Sequence, residues 1–153
     1  MKILILSDSH GSMQAMIDAV YDEKPGCIIH LGDHIRDAEH LSECYPEIPM
    51  ICVPGNCDHA DNREDCLVRE IGSVRFFITH GHRYGVKYDL TRLAYAALES
   101  GASVALFGHT HCATHQQIND RLVLFNPGSC GAGSYGVIQT EHGVPTFRIA
   151  SIR

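Results

Sequence analysis

Five short segments of this chain concentrate the side chains that can do chemistry: Asp8-Ser9-His10, Gly32-Asp33-His34, Gly55-Asn56-Cys57-Asp58, His80-Gly81-His82 and Gly108-His109-Thr110-His111. Residues two apart in an extended segment point to the same side, so Asp8 with His10, and His109 with His111, can each offer two ligands to one cavity. Adjacent glycines permit tight turns. Imidazole and carboxylate together suit divalent ions such as manganese, iron, nickel, cobalt and zinc. The seven cysteines (27, 44, 52, 57, 66, 112 and 130) contain no Cys-x-x-Cys pair, which argues against a structural zinc ribbon. Taken singly, each of these residues has an ordinary use in a cap, a turn or a satisfied polar position. Their convergence is what makes a metal site.

Convergence requires elements that bring the segments together, and each segment follows an apolar run. Lys2 to Leu6 reads as a strand buried on both faces, Ser12 to Asp22 carries helical spacing, and Cys27 to Leu31 reads as a second strand. A helix is expected from about Asp37 to Cys44, then a strand over Pro49 to Val53. Val74 to Thr79 and Ser103 to Phe107 read as further strands, with a helix over Leu90 to Glu99 between them. Parallel strands joined by helical crossovers leave loops at their carboxyl ends free to build a site. After His115 the helical period disappears, and four short strands follow, centred on Gln116–Ile118, Leu122–Phe125, Gly136–Thr140 and Thr146–Ile149. An α/β half joined to an antiparallel half predicts an α/β (α+β by some schemes) fold of two mixed sheets packed face to face with helices outside.

The five segments, in this order, resemble the motif set of the calcineurin-like metallophosphoesterase superfamily, most closely its small single-domain prokaryotic branch, the YfcE-like phosphodiesterases. That branch also carries a segment like Asn126-Pro127-Gly128-Ser129, read here as a turn that can support the ligand loops. The resemblance implies a four-layer αββα sandwich and two divalent ions per chain, with manganese favoured over nickel, zinc, cobalt or iron. It implies Asp8, His10 and His111 on one ion, Asn56, His80 and His109 on the other, and Asp33 bridging them. Asp33, Asn56 and His80 are thereby the catalytic group, and a hydroxide bridging the ions is the implied nucleophile. Two ions bring +4 and two aspartates return −2, leaving a positive site for phosphate. Many superfamily members have His where this chain has Cys57, close to the leaving group. The Gly-Asn-Cys version implies a phosphodiesterase whose leaving group departs with little protonation. His59 is a candidate replacement acid, and His34, Cys57 and His82 are candidate substrate contacts.

The whole-chain properties set the bounds. At 153 residues the chain suits one domain, residues 1–153, and 44% hydrophobic against 20% charged residues fits a folded protein rather than a disordered one. A net charge of −6 without a basic run makes a nucleic-acid polymer a poor partner. The expected substrate is a small-molecule phosphate ester, with no membrane association, and a homo-oligomer is open. The apolar run at the N-terminus stops at Asp8, too short for a signal or membrane segment, and the odd cysteine count favours reduced thiols. The expected compartment is therefore the cytoplasm. A phosphomonoesterase and a non-catalytic binding scaffold of the same fold are the alternative functions.

Overall fold

The computed structural model describes residues 1–153. Its first sheet runs β10-β9-β1-β2-β3, formed by β1 (Lys2–Leu6), β2 (Cys27–His30), β3 (Met50–Cys52), β9 (Ser134–Glu141) and β10 (Val144–Ser151). The second runs β4-β5-β6-β8-β7, formed by β4 (Cys66–Ile71), β5 (Val74–Thr79), β6 (Val104–Leu106), β7 (Thr114–Asn119) and β8 (Leu122–Asn126). In the first sheet β1, β2 and β3 are parallel, and in the second β5, β6 and β8 are parallel. Helices α1 (Met13–Glu23) and α2 (Ile35–Cys44) cover the outer face of the first sheet, and α3 (Thr91–Glu99) covers that of the second. The result is the expected αββα order of layers.

The unbroken apolar runs are explained by strands with two buried faces, since alternate side chains enter different layers. Ile3 and Ile5 join Ile29, Phe76, Ile78, Val104, Leu106, Phe125 and Ile138 between the sheets. Their neighbours Leu4, Leu6 and Ile28 pack against Met16, Ala19, Val20 and Leu41 of the helices. Across the second sheet, Phe77, Ala105 and Leu124 meet Leu93 and Ala97 of α3.

Three features depart from the sequence expectations. The two sheets do not correspond to the two halves of the chain: β9 crosses back to pair antiparallel with β1, Ile3 opposite Ile138, so the antiparallel tail is shared between both sheets. β4 has no counterpart among the expected strands. It is an edge strand whose Arg69 and Glu70 are exposed, so its sequence carries neither a continuous apolar run nor a clean alternation. The hairpin to β5 turns on Gly72 and Ser73, both with positive φ, as a two-residue type I′ turn requires. Helix α2 begins at Ile35 rather than Asp37, because the Ile35 amide is capped by the distant Asp58 carboxylate at 2.8 Å. No helix is long and apolar enough to cross a membrane, and all seven cysteines are free.

Phe76 is fully buried between the sheets, whereas Tyr95 on α3 is 66% exposed. Phe76→Ala is expected to lower unfolding free energy by about 3–5 kcal/mol, and Tyr95→Ala by less than about 0.5 kcal/mol, as read from urea unfolding curves.

Candidate metal centre

The carboxyl ends of β1, β2 and β3 from one sheet and of β5 and β6 from the other open on the same end of the sandwich. The two sheets are joined there by hydrogen bonds between loops. The His80 ring nitrogen Nδ1 donates to the Leu31 carbonyl at 2.8 Å, and the His109 amide donates to Asp8 Oδ2 at 3.2 Å. Within each sheet, the Asp8 amide donates to the Gly32 carbonyl and the Gly108 amide to the His80 carbonyl. Asp8, His10, Asp33, His34, His109 and His111 all have φ between 46° and 68°, the left-handed region that non-glycine residues seldom occupy. Each such residue carries a backbone cost of about 1–3 kcal/mol. Two loops also approach too closely for side chains: a Cβ on Gly55 would strike Asp33 Oδ1, and one on Gly108 would strike Ser7 Oγ.

Four candidate ligand residues converge as one cluster, and further candidates lie beside it. Asp8, His10, Asp33 and His111 each place a ligand atom within 4.8 Å of all the others. His111 Nε2 lies 3.1 Å from Asp8 Oδ1, and His10 Nε2 lies 4.0 Å from Asp33 Oδ2. Beside them, His80 Nε2 is 3.1 Å from Asn56 Oδ1 and 3.5 Å from Asp33 Oδ2. The His109 ring lies next to them, its centroid 5.1 Å from that of His80. Asp33 thus belongs to the cluster and also faces His80. Asp8, Asp33 and His80 are buried, while His10, Asn56 and His111 are open to solvent.

Two details fit cations at this position. Asp8 Oδ1 is buried and accepts no hydrogen bond, a costly state for a carboxylate oxygen unless a cation meets it. His80 is bonded through Nδ1 to the Leu31 carbonyl, which leaves Nε2 as the ring atom that faces the site. Nε2 meets the Asn56 oxygen at 3.1 Å and the Asp33 carboxylate at 3.5 Å. Oxygen and imidazole donors in this mixture match borderline divalent ions.

The geometry rests on groups that spacing alone did not single out. Asp58 accepts from the amides of Asp33, Ile35 and Gly55 at 2.9, 2.8 and 2.8 Å, locking the second loop to the third. His30 is fully buried: its Nδ1 accepts from the Gly32 amide and its Nε2 meets Ser9 Oγ at 3.2 Å. Ser9 then donates to Asp37 Oδ2 at 2.7 Å, which ties the first loop to α2. The Asn126–Ser129 turn supports the remaining loops as expected. Asn126 Nδ2 donates to the Gly108 carbonyl and to Thr110 Oγ1, and Ser129 Oγ donates to the Asp8 carbonyl. Ser7 Oγ donates to Asp8 Oδ2 at 2.5 Å. The available signals were a carboxylate directly after Asn56-Cys57 and a histidine inside an otherwise apolar strand.

Burial raises the Asp33 carboxyl, but the Cys57 amide, the neighbouring His80, the Cys57 thiol and His10 outweigh it and hold Asp33 below the usual carboxylate range. Burial, with His80 and Lys87 nearby, pushes His109 down to about 4, so its ring is neutral and able to ligate at pH 7. Burial, then His80 and Arg83, lowers His82, whose buried Nδ1 has no partner and whose ring lies 5.4 Å from that of His80. Burial and the adjacent Asp33 raise the Cys57 thiol, which keeps its proton at neutral pH. His34 is exposed, its ring edge-on to His10 at 5.0 Å. His59 is exposed and lines a cavity with Cys57.

A profile of the calcineurin-like phosphoesterase superfamily domain matches residues 1–145. The chain belongs to this superfamily. It is 34% identical over 157 residues to the probable metallophosphoesterase YsnB of Bacillus subtilis, covering 97% of this chain and 89% of that protein. Phosphodiesterase YfcE of Escherichia coli is 26% identical over 92% of this chain and 89% of its own length. The crystal structure of Vps29 from Entamoeba histolytica complexed with zinc superposes with a TM-score of 0.76 at 17% identity, covering all of both chains, a likeness of fold. Asp58 and His30 hold together the loops at these strand ends, which carry the candidate ligands.

Two outcomes follow for this superfamily member. Asp58→Ala leaves three amides unpartnered and is expected to weaken divalent-metal affinity about 10–100-fold in equilibrium titration, with Asp58→Asn between it and the wild type. Burial pushes His30 from an ordinary 6.5 down to about 4 against the opposing pull of Asp37, Asp58 and Asp8. The unfolded chain therefore binds a proton that the folded chain refuses, and stability is full above about pH 6.5 and falls as pH drops toward 4. Urea unfolding between these limits is expected to depend on pH more steeply in the wild type than in His30→Gln, by about one proton.

Proposed function

We propose that this chain is a dinuclear metal-dependent phosphoesterase, acting as one domain, and that its substrate is a small or activated phosphodiester. The observation that carries the reading is the buried, unpartnered Asp8 oxygen in a ligand cluster whose Asp33 also faces His80. Asp8, His10 and His111 would hold one ion, Asn56, His80 and His109 the other, with Asp33 common to both and manganese the favoured metal. When bound, such ions supply Lewis acidity toward phosphoryl oxygens and bring a water into the pKa range of a neutral-pH nucleophile. In the net reaction the water oxygen joins phosphorus, the bond from phosphorus to one alcohol oxygen breaks, and that alcohol leaves with a proton.

The chain's own residues support the assignment. Ionised Asp33 and neutral His109 are in the protonation states that ligation requires. His80 is held by the Leu31 carbonyl so that only Nε2 faces the site. His82 and His34 stand at the rim as phosphate contacts. Cys57, where many relatives of the superfamily have His, is exposed and keeps its proton too tightly to be an efficient acid near neutral pH. That favours diesters over monoesters, whose alcohols leave from a more negative phosphate. The phosphodiesterase name of a relative covering 92% of the chain points the same way.

Protein stripped of metal and reloaded with manganese, nickel, cobalt, zinc or magnesium is to be assayed on a chromogenic diester and the matching monoester. Diester turnover that requires metal and falls more than about 100-fold in Asp33→Ala is the expected result. Cys57→His is expected to raise monoester activity selectively. Absence of both metal uptake and turnover would replace the enzyme reading with a binding scaffold of the same fold.

A further inference from the structure

Beside the ligand cluster lies a cavity of about 560 Å³ that the metal-binding residues do not fill. Its walls are the start of α2 and the loop from Cys57 to Asp61. It adjoins the metal centre directly. His34 is shared between cavity and rim, its ring 5.0 Å from that of His10, and the Cys57 amide donates to Asp33 Oδ1 at 2.9 Å.

The charges in this cavity do not balance as its composition suggests. Three carboxylates and one arginine line it, which reads as an acidic pocket. Each carboxylate, however, already has donors of its own. Asp58 accepts from three backbone amides. Glu39 and Asp61 share the guanidinium of Arg63, at 2.5 Å each, which offsets one of their two charges. By contrast, the Arg36 guanidinium joins none of the ion pairs, and neither the His34 ring nor the His59 ring makes a hydrogen bond to the protein. The unspent groups facing the cavity are therefore a guanidinium and two imidazoles, all donors able to meet an anion.

We propose that this cavity is the subsite for an organic substituent of the ester, and that the substituent it selects carries a second anionic group, a phosphate or carboxylate, held by Arg36 with His34 and His59. The proposal rests on the phosphoesterase reading for the position of the first phosphate. Arg36 is the specificity-determining residue. Arg63 acts one step removed, as a positioning residue that reduces the repulsion of the anion by Glu39 and Asp61. A neutral or cationic substituent would leave the Arg36 charge without a partner.

The test uses manganese-loaded protein and a series of 4-nitrophenyl alkyl phosphates with one leaving group and different alkyl ends: phosphonate, carboxylate, trimethylammonium or methyl. The expected wild-type KM is about tenfold lower for the two anionic ends than for methyl. Arg36→Ala is expected to erase that difference with kcat within twofold, Arg36→Lys to restore part of it, and Arg63→Met to weaken the anionic arms alone. Equal KM values across the wild-type series, or an equal loss in every arm for Arg36→Ala, overturns the subsite. Calorimetric titration with propane-1,3-diphosphonate and propylphosphonate separates the two readings, because it needs no turnover. A wild-type preference of about tenfold for the diphosphonate that Arg36→Ala removes supports the subsite even if no ester is hydrolysed, in which case only the hydrolase reading falls. Equal affinity for the two phosphonates overturns the subsite even if esters are hydrolysed.

Discussion

Asp8 and Asp33 sit almost entirely out of water at the ends of adjacent strands, and burying carboxylates costs several kcal/mol each unless nearby groups compensate. Much of the surrounding architecture is compensation. Asp8 Oδ2 receives the Ser7 hydroxyl and the His109 amide, and Asp33 Oδ1 receives the Cys57 amide. What these donors leave unmet at Asp8 Oδ1 lies 3.9 Å from His80 Nε2, at one point. Positive charge placed at that point would offset the cost of an interior arranged in this way.

The parts of the fold that were legible in the sequence are those buried on two faces. The run Lys2–Leu6 and the strand Val74–Thr79 are readable because a four-layer sandwich demands apolar residues on both sides of its central strands. Cys66–Ile71 was not, because an edge strand paired on one side tolerates Arg69 and Glu70. Sheet membership of the last hairpin was equally hidden: nothing local in Gly136–Thr140 says that its partner is β1 rather than β8.

The ligand residues were legible for a related reason. Polar side chains that interrupt apolar runs at strand ends have few purposes, and five such interruptions share one. The residues that brace them were not readable. Asp58 acts on the amides of residues 33 and 35, which any sequence would provide, and its spacing from them carries no information. His30 passed as part of a strand, because its function depends on Ser9 and Asp37, brought close only by folding. Composition likewise misrepresents the Arg36 cavity, where the sign of the usable charge depends on which carboxylates are already paired.

The antiparallel docking of β9 against β1 sets the order in which this chain can assemble. β1 leaves the ribosome more than a hundred residues before β9, its partner on one side, and the Met1 nitrogen is bonded to the Thr140 carbonyl. Until β9 has been made, an apolar strand with an unpaired edge must wait, paired on its other edge with β2 and covered on one face by α1. Closure of the first sheet is thus a late, long-range event, and a nascent chain halted short of residue 134 presents a sticky strand edge rather than a finished fold.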